Sequence, residues 1–67
     1  MIPDYQQRVI DEKTALDDKI GKLAVFIDSA AFVSLDPKAK DLLLLQYSTM
    51  TSYTQILGMR VSLFGGG

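Results

Sequence analysis

Asp36-Pro37 splits this chain into two long stretches that each carry a helical repeat, and no other feature constrains the fold as tightly. An aspartate accepts hydrogen bonds from the free amides of a first helical turn. A proline suits the first helical position, because its missing N–H had no intrahelical partner. A helix is therefore expected to start at Pro37 and to run to about Leu63 or Phe64. On the N-terminal side, Val9, Lys13, Leu16, Ile20, Leu23 and Ile27 follow one another at steps of four and three. That spacing keeps them on one helical face, with Lys13 as its polar break. Ile10, Ala24 and Phe26 widen the face, and Pro3-Asp4 opens it. The first long helix is read as about Asp4 to Asp28, with acid-before-base pairs Asp4–Arg8 and Asp18–Lys22 on its surface. The corner is 29–36, where Ser29 caps a short turn that buries Phe32. Gly65, Gly66 and Gly67 read as a flexible tail.

The second long helix carries two seams. One is Leu43, Tyr47, Met50, Thr54, Leu57, Val61 and Phe64. The other is Leu42, Leu45, Thr49, Ser52, Ile56, Met59 and Leu63. A single partner helix covers one of these, and the other needs a further partner, because monomers rarely leave so long an apolar patch in water. Composition points the same way. A 67-residue chain is short, and chains of about this size bury only about 60% of their unfolded surface and usually need a staple. With no Cys and no His, disulfides and nearly all zinc sites are excluded, yet 48% of the residues are hydrophobic. Self-association is the staple left. The expected fold is all-α, an antiparallel two-helix hairpin with a short helical corner that assembles into a homo-oligomeric helical bundle, a dimer or larger.

From Tyr47 to Thr54, seven of eight residues carry a hydroxyl, Met50 being the exception. Such residues favour strands, so a β-hairpin over 47–54 is the alternative to a helix. The helical phase of the apolar residues on either side favours helix. The belt is then a polar layer within a helix–helix contact, where it either sets the register or lines a ligand site.

The sequence holds little that resembles catalytic machinery. The acid pairs Asp11-Glu12 and Asp17-Asp18 are neighbours, so their side chains diverge on a helix and read as a solvated face. No phosphate-cradling glycine loop, nucleophile elbow or metal motif occurs, and the hydroxyls have no His to activate them. The chain is read as a non-enzyme with no cofactor and no metal. Seven basic residues against eight acidic ones argue against binding to polymeric nucleic acid. Apolar runs such as Leu42 to Leu45 are far too short to span a membrane. No signal peptide is visible, and a cytosolic location is expected.

A small-ligand site is a better prospect. In a hairpin turning near residue 32, residues whose numbers sum to about 65 lie side by side. The open end then gathers Tyr5 and Arg8 with Tyr53, Gly58 and Arg60. Two guanidinium groups and two aromatic rings suit a phosphate and a stacked base. Thr49 and Thr54 add hydroxyls, and Lys19 and Lys22 form a second basic cluster. The competing reading is structural: the tyrosines pack at a subunit contact and Arg8 pairs with Asp4.

One resemblance covers nearly all of the chain except the glycine tail. Its frame is Tyr5, Arg8, Glu12-Lys13, Leu16, Lys19-Ile20, Lys22-Leu23, Phe26-Ile27 and Leu35, then Gln46, Met50, Tyr53, Leu57 and Arg60. This pattern resembles a group of small helical proteins encoded by crAss-like and other tailed phages. In size and plan the chain is also similar to phage sponges that sequester the cyclic nucleotide signals of CBASS and Thoeris defence. The resemblance implies a phage anti-defence protein in the cytoplasm of the infected bacterium. It would hold a cyclic di- or trinucleotide, or a cyclic ADP-ribose type ligand, between protomers and without catalysis. The alternative is a small protein-binding inhibitor or a structural oligomerisation module of a phage.

Overall fold

A computed structural model describes residues 2–65. They form three helices, α1 (Asp4–Ile27), α2 (Ala30–Val33) and α3 (Pro37–Gly65), and the described residues contain no strand. The strand hairpin is thus ruled out, since 47–54 is an unbroken part of α3. Hydroxyl-rich residues are strand-prone in isolation, but here burial of the flanking apolar residues selects the helical phase. Gly65 ends α3 instead of opening a tail, while Gly66 and Gly67 lie outside the described residues.

The start of α1 and the helix ends at the corner have identifiable causes. Pro3 precedes α1 as its cap residue, one position earlier than a first-turn proline, and its carbonyl accepts the Gln6 and Gln7 amides at 3.0 and 3.1 Å. α1 stops where the Ser29 amide turns back to the Phe26 carbonyl at 3.0 Å. Ser29 then caps α2, its hydroxyl accepting the Phe32 amide at 3.3 Å. The cap brings Phe32 edge-on to Phe26, with ring centroids 6.3 Å apart. Phe32 is half-buried. The Leu35 amide closes on the Phe32 carbonyl at 3.1 Å, and the Asp36 carbonyl accepts the Lys40 amide at 3.1 Å. Capping makes the corner without a left-handed residue, and none of the described residues has positive φ.

α1 and α3 lie side by side and antiparallel, as two contacts show: Tyr5 meets Phe64 at the open end, and Glu12 meets Tyr53 nearer the middle. The result is a thin rod, 48 × 15 × 14 Å. Its core is correspondingly slight, with Val9 and Leu57 its buried hydrophobic residues, Leu57 fully so. The rest of the α1 face, Lys13, Leu16, Ile20, Leu23 and Ile27, is half-buried. So is the rest of the first α3 seam. The second α3 seam, Leu42 to Leu63, is exposed at all seven positions.

The contacts drift from the expected register. A sum near 65 holds at Glu12–Tyr53, but Lys13–Thr54 and Tyr5–Phe64 run two and four residues further along α3. Side chains lean toward the N-terminus of their own helix, so a given spot is covered by a residue about one position C-terminal to it. In an antiparallel pair both leans act together, and touching residues sum to more than the backbone register does.

Candidate functional site

The eight sequence-predicted residues do not form one cluster. Helical spacing puts Tyr5, Arg8, Lys19 and Lys22 on one flank of α1, together with Glu12. On α3, Tyr53 and Arg60 lie seven residues apart, two turns along one flank. The Tyr5–Phe64 and Glu12–Tyr53 contacts bring these two flanks to the same side of the rod. That side also borders the exposed seam, because Tyr53 adjoins Thr49 and Ile56 around α3. Six of the eight therefore share a flank. Thr49 stands on the seam beside it, and Thr54 turns to the other side, into the hairpin.

Tyr5 stands edge-on to Phe64, with centroids 6.0 Å apart at 84°, and stays 62% exposed. Tyr53 is 42% exposed, and its hydroxyl donates to the Glu12 carboxylate. That bond holds the phenolic proton, and with partial desolvation and the Glu12 charge it raises the Tyr53 pKa above 10.0, while the Arg60 charge opposes the rise. Arg60 is thus close enough to Tyr53 to act on it electrostatically. Tyr5 and Tyr53 are not neighbours, since Glu12, seven residues along α1 from Tyr5, is the partner of Tyr53. Seven residues of helix set the two rings about 10 Å apart along the rod.

Arg8 and Arg60 are exposed. Asp4 does not pair with Arg8: among the described residues the ion pairs are Lys13–Asp17 at 2.8 Å and Lys22–Asp18 at 3.1 Å. Lys22 keeps the partner expected of it, at a surface position where such pairs contribute little. Lys19 is exposed on the same flank.

The hydroxyl belt separates into three uses. Thr49 and Thr51 donate to the carbonyls of Leu45 and Tyr47, one turn back, each at 2.9 Å. Ser48 and Ser52 are exposed. Thr54 donates to Asp17 and accepts from the Lys13 ammonium at 3.4 Å. Lys13, a polar break on one helix, thereby meets a polar position on the other. The bonds from Lys13 and Thr54, in that order, hold the Asp17 carboxyl below its ordinary value of 3.8.

Three contributors escaped the sequence reading: Glu12, Lys13 and Asp17. The two acids remain exposed, as a solvated face would, but each also bonds across to α3. The antiparallel register already put Glu12 level with Tyr53, and that was the available signal. The two internal glycines differ in their surroundings. Gly21 has open space around it and lets nothing come close. Gly58 faces the Lys13 side chain, whose Cε would lie 3.2 Å from an added Cβ.

A cleft of about 280 Å³ opens at the end of the hairpin, lined by Ile2, Gln6, Ile10, Val61 and Phe64. It is mostly apolar, lacks the arginines, and falls just below the size of ligand pockets, which run from about 300 Å³. The basic and aromatic side chains sit instead on an open flank that this chain alone does not enclose. Among the described residues, no group of His, Cys, Asp and Glu is placed to hold a metal ion. No described helix is long and apolar enough to cross a membrane.

The Sequestin family model matches residues 3–63, which is both long helices and the corner. The chain belongs to the Sequestin family. The family's name describes sequestration, binding and holding in preference to turnover. Among curated proteins, the chain is similar to the uncharacterised 7.5 kDa protein of the denB-rIIB intergenic region of Enterobacteria phage T4. The two are 38% identical over 60 residues, which cover 90% of this chain and 94% of that protein. This Sequestin member is therefore a small phage-type protein over almost its whole length. No solved structure matches it.

Proposed function

We propose that this protein sequesters a nucleotide immune signal in the cytoplasm of an infected bacterium, holding it in a groove between copies of the chain without chemical turnover. The ligand class is a cyclic di- or trinucleotide or a cyclic ADP-ribose isomer. The observation that carries the reading is the flank itself: exposed Tyr5, Arg8, Tyr53 and Arg60 beside an uncovered apolar seam, in a chain of a family named for sequestration. Tyr5 and Tyr53 stack on bases and Arg8 and Arg60 hold phosphates, with Lys19 and Lys22 extending the positive charge along α1. Thr49, next to Tyr53 on the seam, offers its hydroxyl oxygen to the ligand. Thr54 is already bonded to Asp17 and Lys13 and belongs to the hairpin contact. A second copy supplies the wall that this open flank lacks, because a rod 15 Å thick has no interior for a nucleotide.

Thermal shift against a panel of cyclic di- and trinucleotides and cyclic ADP-ribose isomers tests the reading. At a hundredfold excess over Kd a ligand of the folded state adds about 2.7 kcal/mol. A ligand should raise Tm, and Arg60→Ala should remove the rise. If no member of the panel raises Tm, the nucleotide reading falls and the exposed seam is left for a protein partner.

A further inference from the structure

We infer that α3 pairs with α3 of a second copy, antiparallel, about a two-fold axis passing midway between Thr49 and Ser52. The inference rests on the self-association in the proposed function and is independent of its ligand.

The exposed seam of α3 is symmetric about its centre in both spacing and chemistry. Thr49 and Ser52 flank the midpoint. Leu45 and Ile56 come next, then Leu42 and Met59, at matching distances on either side. Turning a copy end for end therefore sets Thr49 against Ser52, Leu45 against Ile56 and Leu42 against Met59. Apolar groups meet apolar groups, and the two small hydroxyl residues meet at the axis. This is the self-complementary patch that a two-fold contact requires. All of these positions are exposed in the single chain: Leu42 58%, Leu45 64%, Ile56 50% and Met59 62%.

A parallel pair would also match the seam to itself, and charge decides between the two. The next seam position toward the N-terminus is Lys38, which is exposed. In a parallel pair Lys38 faces its own copy, and two ammonium groups meet at helix N-termini, the ends that disfavour cations. In the antiparallel pair Lys38 falls beside Leu63 of the partner, near the last carbonyls of the partner helix. That end favours a cation, and α3 has no basic residue of its own in its last turn. Between Leu42 and Met59 the helix carries no charge, so the ends set the orientation.

The extent of the contact follows from area. A stable interface takes about 800 Å² from each partner, roughly a sixth of the 4989 Å² exposed here. One end of so thin a rod does not supply that, and the contact must run most of the length of α3. The pairing also affects the flank described above. Tyr53 of each copy comes to the same face of the pair, about 8 Å apart along the helices, so two rings border one groove.

The chain has no native cysteine, so single-cysteine variants report the register cleanly. Leu42→Cys and Met59→Cys are each treated with a short bismaleimide, alone and as an equimolar mixture, with no nucleotide present. Far-UV circular dichroism confirms that both stay as helical as the parent. The mixture should yield covalent dimer. Each variant alone should yield no more than an Asp11→Cys surface control, because like positions lie about 25 Å apart along the helices. Self-linking of either variant as strong as in the mixture would make the pair parallel and overturn the proposal. A mixture no better than the control would overturn it too. Sedimentation gives a second reading: the parent should have twice the chain mass, and Ile56→Asp should have the mass of one chain. A parent of single-chain mass sinks the pairing, as does an Ile56→Asp variant of unchanged mass. Linking in the mixture together with no response to any nucleotide removes the ligand and leaves the pairing in place.

Discussion

The Lys13 ammonium on α1 lies 2.8 Å from the Asp17 carboxylate one turn along and 3.4 Å from the Thr54 hydroxyl on α3. Thr54 in turn donates to Asp17, which closes a three-membered polar contact across the hairpin. Lys13 is the charged position in the α1 seam, and Thr54 is a polar position in the first α3 seam. A one-residue slip of either helix would separate them and bury a polar group without its partner, which is costly. The contact therefore sets register where a core whose buried members among the described residues are Val9 and Leu57 specifies it weakly.

Acid should weaken this contact. The Asp17 pKa lies below its ordinary 3.8, so its contribution is fully present above that value and is lost as pH falls through the lowered one. Tm should therefore drop below about pH 4, and Asp17→Asn should show a lower Tm at neutral pH with a smaller drop in acid. A drop of the same size in Asp17→Asn would place the acid sensitivity elsewhere.

Tyr53 acts at the opposite end of the pH scale. Its pKa is raised, so the Glu12 bond contributes below 10.0 and is lost as pH rises through the higher value. Absorbance at 295 nm should show a tyrosine titrating above pH 10 that disappears in Tyr53→Phe.

Tyr53 also separates hydrogen bonding from stacking. Tyr53→Phe keeps a ring and should retain affinity for any nucleotide found in the thermal-shift panel. Tyr53→Ala should lose about 1–3 kcal/mol per stacked base, roughly 5- to 150-fold in Kd by calorimetry. Equal losses in the two variants would mean that the hydroxyl, and not the ring, is what the ligand needs.

Leu57, fully buried, should be the most sensitive position in the hairpin. Leu57→Ala is expected to cost about 2–5 kcal/mol in urea unfolding, at any protein concentration. Ile56→Ala, one residue earlier and half exposed, should instead show a loss that is small at low protein concentration and grows to a plateau as concentration rises, because it weakens association.

The glycines should respond differently to the same change. Gly21→Ala gains about 1 kcal/mol of helix propensity with nothing to strike. Gly58→Ala should gain less, because its Cβ meets Lys13 Cε at 3.2 Å and that side chain is tied to Asp17 and Thr54. Thermal melts of the two single variants compare them directly, and a larger gain at Gly58 would show that Lys13 moves freely.

The sequence by itself determined the two long helices, the corner and the surplus seam. All three rest on local chemistry: three-and-four apolar spacing, serine and aspartate ahead of helix starts, and more apolar positions on the second helix than one partner covers. The seam was legible as an uncovered surface because hydrophobic excess is visible without coordinates. Only the tertiary structure decided which polar groups meet. Side-chain lean moves antiparallel contacts by about two residues from the backbone register, enough to pair Lys13 with Thr54. Packing also set Tyr5 on Phe64, about two turns from the Glu12–Tyr53 pair that the register already implied. Spacing along one helix specifies a face. Which side chains touch across two helices depends on the direction and length of each, and that is fixed when the helices pack.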